Sequence, residues 1–152
     1  MSDSKPAPSW QLKAHPAYVM AEAKYLEALS AGESADDKAL SKSKQFKKFE
    51  HLYALTRLRI PADPSRETFR LGNTLGKKHS FWRRAKFLQQ YRIFFRYSSV
   101  SKLIVYAWVN DDDTLRAYGS KTDAYIVFKR MLESGRIPND WDELISESKK
   151  LN

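Results

Sequence analysis

At 152 residues the chain has the length of one ordinary domain, long enough to bury roughly two-thirds of its unfolded surface around a core. It has no cysteine, which excludes disulfides, cysteine-based zinc sites and thiol nucleophiles and fits a reducing compartment. Lys and Arg number 27 against 18 Asp and Glu, a net charge of +9, and no apolar run comes near the ~20 residues a membrane span needs.

In chain order, Met1 to Ser9 holds Ser, Pro and Lys without an apolar stretch. It reads as a disordered start rather than a secretory signal, so a cytoplasmic location is expected. Residues 10–148 read as one domain and 149–152 as a C-terminal tail. Trp10 to His15 has the form of a short edge strand stopped by Pro16. Ala17 to Leu29 carries Val19, Ala23, Leu26 and Leu29 near helical spacing, and Gly32 suits its C-terminal cap. A second helix is expected to start at Asp36 or Asp37, whose carboxylates favour a helix N-terminus. It should run to Ile60, with Phe46, Phe49, Tyr53 and Thr56 as its inner stripe and Leu52 and Leu55 beside it, before Pro61 and Pro64. The two segments would form a helical hairpin.

Gly72 and Gly76 mark a loop, after which the pattern changes. Trp82 to Leu88, Tyr91 to Tyr97 and Lys102 to Asn110 are rich in β-branched and aromatic residues, and their short connections predict antiparallel neighbours. Alternation puts Arg92 and Arg96 on one face around Phe94, an unusual composition for a core face, with Tyr91, Phe95 and Tyr97 toward the core. Asp111-Asp112-Asp113 starts a turn, and Leu115 to Lys121 forms a loop around Gly119. Thr122 or Asp123 should cap a helix bearing Tyr125, Phe128, Met131 and Leu132 on one side, ended by Gly135 and Pro138. A short closing helix is expected from Asp140 to Ser148. Segregated strands and helices place the fold in the α+β class.

The charge is concentrated. No acidic residue occurs between Thr68 and Asn110, where Arg70, Lys77, Lys78, Arg83, Arg84, Lys86, Arg92, Arg96 and Lys102 account for the entire net excess. A polyanionic partner is the natural inference. Leu71 to Gly76 lacks the Lys-Ser/Thr that a phosphate-cradling loop requires. His15, His51 and His79 have no partner at metal-ligand spacing. His15 reads as structural and His51 as surface, while an acid/base role is open to His79 in the basic loop. Three consecutive Asp cannot all face one ion from regular structure, so they read as a turn.

What remains is Arg, Lys and Tyr on strands, a set that binds RNA phosphate, stacks on bases and stabilises a phosphorane. RNA supplies its own 2′-hydroxyl nucleophile, so a protein need only orient it, neutralise the developing charge and manage two protons. A positive face that only binds RNA accounts for the same charge. On the residues alone, an endoribonuclease and a non-catalytic RNA- or ribosome-binding inhibitor both stand.

Particular stretches narrow the choice. Trp82-Arg83-Arg84-Ala85-Lys86-Phe87, Tyr91-Arg92-Ile93-Phe94-Phe95-Arg96-Tyr97, Trp108-Val109-Asn110-Asp111, Thr114 to Gly119 and Lys121 to Tyr125, with Ala14-His15-Pro16 and Pro138-Asn139-Asp140-Trp141, resemble the YhaV-type toxins of the RelE superfamily. The resemblance implies a small antiparallel sheet packed against an N-terminal helical hairpin, with C-terminal helices. It implies the toxin of a type II toxin–antitoxin pair, a metal-independent endoribonuclease without cofactor that inhibits translation and growth. Carried over by position, Arg84 would stabilise transition-state charge, Lys86 would bind phosphate or transfer a proton, and Arg92 would contact the scissile phosphate. Arg116 and Tyr118 would be the late Arg and the aromatic acid/base. Arg83, Lys77, Lys78, Asn110 and Lys121 would bind RNA around them. Apart from the resemblance, Arg96 is expected to have a structural role, bridging an Asp. The implied partners are RNA, free or on the ribosome, and a cognate AbrB-like antitoxin of the PrlF type, forming a hetero-oligomer that binds operator DNA.

Overall fold

The structure, a computed structural model, describes residues 9–31 and 37–152. Gly32 and Asp36, expected at helix ends, lie outside these residues, as does most of the expected disordered start. The fold is α+β: a five-stranded sheet with helices on both faces. Strand β1 (Gln11–Ala14) leads into α1 (Pro16–Ala31) and α2 (Asp37–Ala54), which continues through a π-helical turn (Leu55–Arg59) into α3 (Ile60–Ala62). The chain then builds β2 (Arg83–Phe87), β3 (Tyr91–Ser98) and β4 (Leu103–Val109), followed by α4 (Ala124–Glu133), α5 (Trp141–Glu147) and β5 (Lys149–Lys150).

The sheet order is β2-β3-β4-β1-β5. The antiparallel meander β2-β3-β4 is as the short connections predict. The expectation for β1 needs correction: it is an interior strand, parallel to β4 on one side and antiparallel to β5 on the other. Residues 149–152, read as a tail, supply that fifth strand, and the Leu151 amide donates to the Leu12 carbonyl at 2.8 Å. Two lysines carry no alternation, so backbone pairing alone makes this strand.

β4 is buried along its whole length because both faces of the sheet are covered there. The β3–β4 register shifts between Phe94 and Phe95, a bulge at Ala107 that puts Tyr106 and Trp108, two positions apart on β4, on opposite sides with the alternating Phe95 and Phe94. On one side Phe94 and Trp108 stack with Phe128 of α4. On the other, Phe95 and Tyr106 face the hairpin, where Tyr18 of α1 meets Tyr106 at 5.6 Å between ring centres. Phe94 is therefore core, and only the two arginines flanking it depart from a core face.

The hairpin forms as expected, with its inner stripe displaced. Ala17, Tyr18, Ala21 and Tyr25 are buried on α1, and Leu52, Leu55, Thr56 and Ile60 on the second limb. Val19, Leu26, Phe46 and Tyr53 are exposed instead. Small Ala side chains let α1 lie close on the sheet, and a Glu22–Arg57 ion pair ties the two limbs. Tyr53 lies on the outer flank against Phe49 and the Arg57 guanidinium. His15 is structural: its Nδ1 accepts the Ala17 amide at 3.1 Å and its Nε2 lies 2.8 Å from Glu147 of α5.

Asp111 to Asp113 form a turn whose carboxylates diverge. Asp111 accepts from the Asp113 amide at 3.0 Å and the Thr114 hydroxyl at 2.8 Å. Asp112 accepts from Lys48 of α2 at 2.9 and 3.0 Å and from the Tyr91 hydroxyl, which fastens the hairpin to β3. Partial burial opposes the Asp112 charge, but the hydrogen bonds from Tyr91 and Lys48 prevail and hold its carboxyl below the ordinary value. Among the described residues no helix is long and apolar enough to cross a membrane.

Candidate active site

The register pairs Arg84 with Phe94 and Lys86 with Arg92, so Trp82, Arg84, Lys86, Arg92 and Arg96 share the α4 face of the sheet. Arg83 pairs with Phe95 and faces the hairpin. Its Nη1 donates to the carbonyls of Ser80, Phe81 and Trp82, and its guanidinium lies over the Tyr97 ring. Of the two adjacent arginines, Arg84 is the one the strand delivers to the cluster around Arg92.

That cluster converges on Tyr125, which the helical pattern sets on one side of its helix with Phe128, Met131 and Leu132 and which was not among the expected site residues. The Tyr125 hydroxyl, in the first turn of α4, accepts from Arg84 Nε at 2.9 Å and from Arg92 Nε at 3.1 Å. The Arg116 guanidinium covers the Tyr125 ring, 4.9 Å from its centre, and Arg92 approaches it at 5.9 Å. Two guanidinium donors occupy the hydroxyl's lone pairs, and its own proton has no acceptor among the described residues. A buried phenol ordinarily finds a partner for that proton. Tyr125 lines the adjoining cleft.

Each arginine is held by backbone. Arg84 Nη1 donates to the carbonyls of Thr68 and Arg70, both at 3.0 Å. Arg92, 7% exposed, donates through Nη1 to Gln89 at 2.7 Å and to Tyr91 at 2.9 Å. The Gln89 carbonyl is aimed by the β2–β3 turn, where Leu88 and Gln89 both have positive φ (44° and 68°). For both arginines the Nη2 nitrogen has no protein partner among the described residues. Two fixed guanidinium edges thus flank one hydroxyl, an arrangement suited to an anion.

Asp123 assembles the third side. Its Oδ2 accepts the Tyr125 amide at 3.0 Å as the α4 cap, while Oδ1 accepts Arg116 Nη1 and the Ala117 amide, each at 2.7 Å. One carboxylate therefore starts the helix and anchors the cation over the Tyr125 ring. Beside it opens a cleft of about 520 Å³ whose lining includes Arg116, Tyr118, Lys121, Asp123, Tyr125 and Arg130. Tyr118 is 94% exposed at its rim, with the Arg116 guanidinium 5.4 Å from its ring.

The remaining expected residues divide. Lys86 is exposed on the Arg92 face, and Lys77, Lys78 and Lys121 are exposed. Asn110 is corrected: fully buried, it accepts the Arg92 amide at 2.7 Å and donates to the Gln90 and Thr114 carbonyls at 3.0 and 2.9 Å. With its hydrogen-bonding capacity turned inward, it positions β3 and the following loop and has no reach to RNA. His79 is 3% exposed, its Nδ1 against Asn139 Oδ1 at 3.1 Å, so it packs rather than faces the cleft. Among the described residues Arg96 bridges no Asp; it is caged by the rings of Phe81, Trp82 and Trp141 and donates to the Asn139 carbonyl at 2.6 Å.

Comparison with known proteins bears on this geometry. Residues 12–149 match the family model described as a toxin with endonuclease activity, of toxin–antitoxin system. The chain is 37% identical over 143 residues to the toxin YhaV of Escherichia coli O6:H1, covering 93% of each chain. It is 36% identical over the same length and coverage to the ribonuclease toxin YhaV of Escherichia coli K12. No solved structure matches the chain significantly.

Proposed function

The chain belongs to the YhaV family, toxins with endonuclease activity of toxin–antitoxin systems, and from that premise we propose that it cuts RNA at the Tyr125 cluster, using the RNA's own 2′-hydroxyl and no metal ion. The observation that supports this most is the Tyr125 hydroxyl, which accepts from two arginines and keeps a proton that no described residue accepts, in a residue that lines the cleft.

Attack of the 2′-oxygen forms its bond to phosphorus and breaks the bond to the 5′-oxygen, leaving a 2′,3′-cyclic phosphate and a 5′-hydroxyl. One proton leaves the 2′-oxygen for solvent, and one must reach the 5′-oxygen. Tyr125 donates the second. The Nη2 edges of Arg84 and Arg92 bind the non-bridging oxygens, where negative charge grows in the transition state. Lys86 adds charge at the same phosphate. Arg116, anchored by Asp123, fixes the Tyr125 ring, and Tyr118 meets the RNA at the rim rather than moving a proton. Lys77, Lys78 and Lys121 follow the RNA backbone, a contribution that salt weakens.

The family brings an antitoxin partner with it. We assign that partner to the AbrB-like PrlF type, in a hetero-oligomer that binds operator DNA, and place the toxin in the cytoplasm acting on mRNA, free or on the ribosome.

Purified protein incubated with a defined RNA in EDTA, with and without ribosomes, tests the reading. Products ending in 2′,3′-cyclic or 3′-phosphate are expected, and Tyr125→Phe should slow their formation on the order of 100-fold or more while the protein stays folded. Intact RNA in both arms, with binding retained, would replace the nuclease with a non-catalytic inhibitor.

A further inference from the structure

Phe81 lies at the other end of the same sheet face and is 67% exposed, an unusual place for a large ring. It is not loose. The Arg96 guanidinium sits 5.5 Å from its ring centre, and the Trp82 and Trp141 rings approach the same guanidinium at 5.7 and 5.2 Å. Arg96 is fixed in turn by its 2.6 Å bond to the Asn139 carbonyl. The Asn139 side chain is itself held by Trp82 Nε1, His79 and the Lys78 carbonyl. The ring thus rests on a rigid cationic and aromatic stack and turns its remaining surface to solvent.

Its surroundings carry the charge that RNA needs. Lys77 and Lys78 are exposed in the turn just before it, and Arg84 follows three residues later, about 10 Å along an extended chain. That is the span of a nucleotide or two. An aromatic ring with a cation beneath it and lysines beside it is the arrangement that stacks bases without reading their edges.

We propose that Phe81 is a stacking platform for a nucleobase of the RNA substrate, one or two nucleotides from the scissile phosphate; this rests on the ribonuclease reading. Lys77 and Lys78 hold the adjoining phosphates, and Arg96 polarises and orients the ring from below. The platform sets where RNA lies along β2 and favours no particular base, because every base offers a π face.

The test is fluorescence anisotropy with a non-cleavable 2′-O-methyl oligoribonucleotide, intact or made abasic at single positions beside the cleavage site. Phe81→Leu, which keeps apolar bulk and loses the aromatic face, should weaken binding of the intact RNA roughly five- to one-hundred-fold. Phe81→Trp should bind as the unaltered protein does. An abasic position should cost the unaltered protein a similar factor and Phe81→Leu nothing more. The exposed site makes folding of these variants checkable by thermal melt. Equal RNA affinity of Phe81→Leu and unaltered protein overturns the proposal, and loss of antitoxin binding instead would reassign the ring to a protein interface. If the unaltered protein binds no RNA at all, the ribonuclease reading fails and the platform with it, a result distinct from a Phe81 variant that binds normally.

Discussion

Arg92 and Arg96 leave the same face of β3 on either side of Phe94, yet the fold puts them to different use. Arg92 is enclosed by oxygens: the Tyr125 hydroxyl and the carbonyls of Gln89 and Tyr91 fix two of its nitrogens. Arg96 is enclosed by rings, with a single carbonyl from Asn139. Burial lowers the Arg96 pKa, though the Asp140 charge opposes the shift, and it remains a cation at any physiological pH. Identical side chains therefore become different instruments through their neighbours. Oxygen acceptors leave a guanidinium edge aimed at an anion, whereas aromatic faces turn the cation into support for a π surface.

The comparison breaks most sharply at Arg92. Arg92→Lys keeps the charge but cannot bond Tyr125, Gln89 and Tyr91 together. Cleavage of a defined RNA should fall on the order of 100- to 1,000-fold, with a stability loss of about 1–3 kcal/mol from the unmatched carbonyls. A variant within about fivefold of the unaltered rate would remove Arg92 from the reacting site. Arg84→Lys should behave alike and separates this cluster from Arg83, whose replacement should leave the chemical step nearly intact in single-turnover assays.

A smaller effect is expected from Asp123→Asn, which retains a capping oxygen but weakens the anchor of Arg116. The single-turnover rate should drop roughly tenfold, with about 1 kcal/mol of stability lost in a urea melt. An unchanged rate would show that Arg116 needs no anchor over the Tyr125 ring. At the other end of the strand, Arg96→Lys should raise the dissociation constant for non-cleavable RNA several-fold and change the single-turnover rate at saturating RNA by less than twofold. A large loss in that rate would mean the two arginines are not divided as described.

The smallest effect concerns pH. Asp112 titrates below its ordinary value in the folded protein, so the stability it lends is present above about pH 4 and is lost as pH falls through its folded value. Melts from pH 6 to pH 2 should show the unaltered protein losing slightly more stability on the acid side than Asp112→Asn. Parallel curves would show that the Lys48–Asp112–Tyr91 contact, whose carboxylate is largely exposed, adds nothing.

Much of this was legible in the residues where one constraint dominated. The aromatic, β-branched run from Tyr91 to Tyr97 announces a strand, whose period of two puts Arg92 and Arg96 on one face, and a basic run without a single acid announces a polyanion. Tyr125 was not legible because it shares a helical stripe with Phe128, Met131 and Leu132, which is how a core residue looks. The one available signal was position: a phenol two residues past a capping Asp, beside an arginine-bearing loop, requires a polar partner if buried. Asn110 misled for the opposite reason, since a polar residue at a strand end is as readily an inward clamp as a ligand contact. The hairpin's inner face was legible in part: Leu52, Leu55 and Thr56 are buried as expected, while on α1 Ala17, Tyr18, Ala21 and Tyr25 face the sheet in place of Val19 and Leu26, since spacing alone does not fix which way a helix turns. β5 has no side-chain pattern to read at all.

The parallel pairing of β1 with β4 also sets a clock. Gln11 lies opposite Leu103, 92 positions later in the chain. At ribosomal speeds of about 5–20 residues per second, the first strand waits roughly 5–20 s before its partner has even been synthesised. Pairings of this range are the slow ones to find after synthesis as well. Arg116 and Tyr125 are added later still, so the first strand, its partner and the Tyr125 cluster come together only late in synthesis.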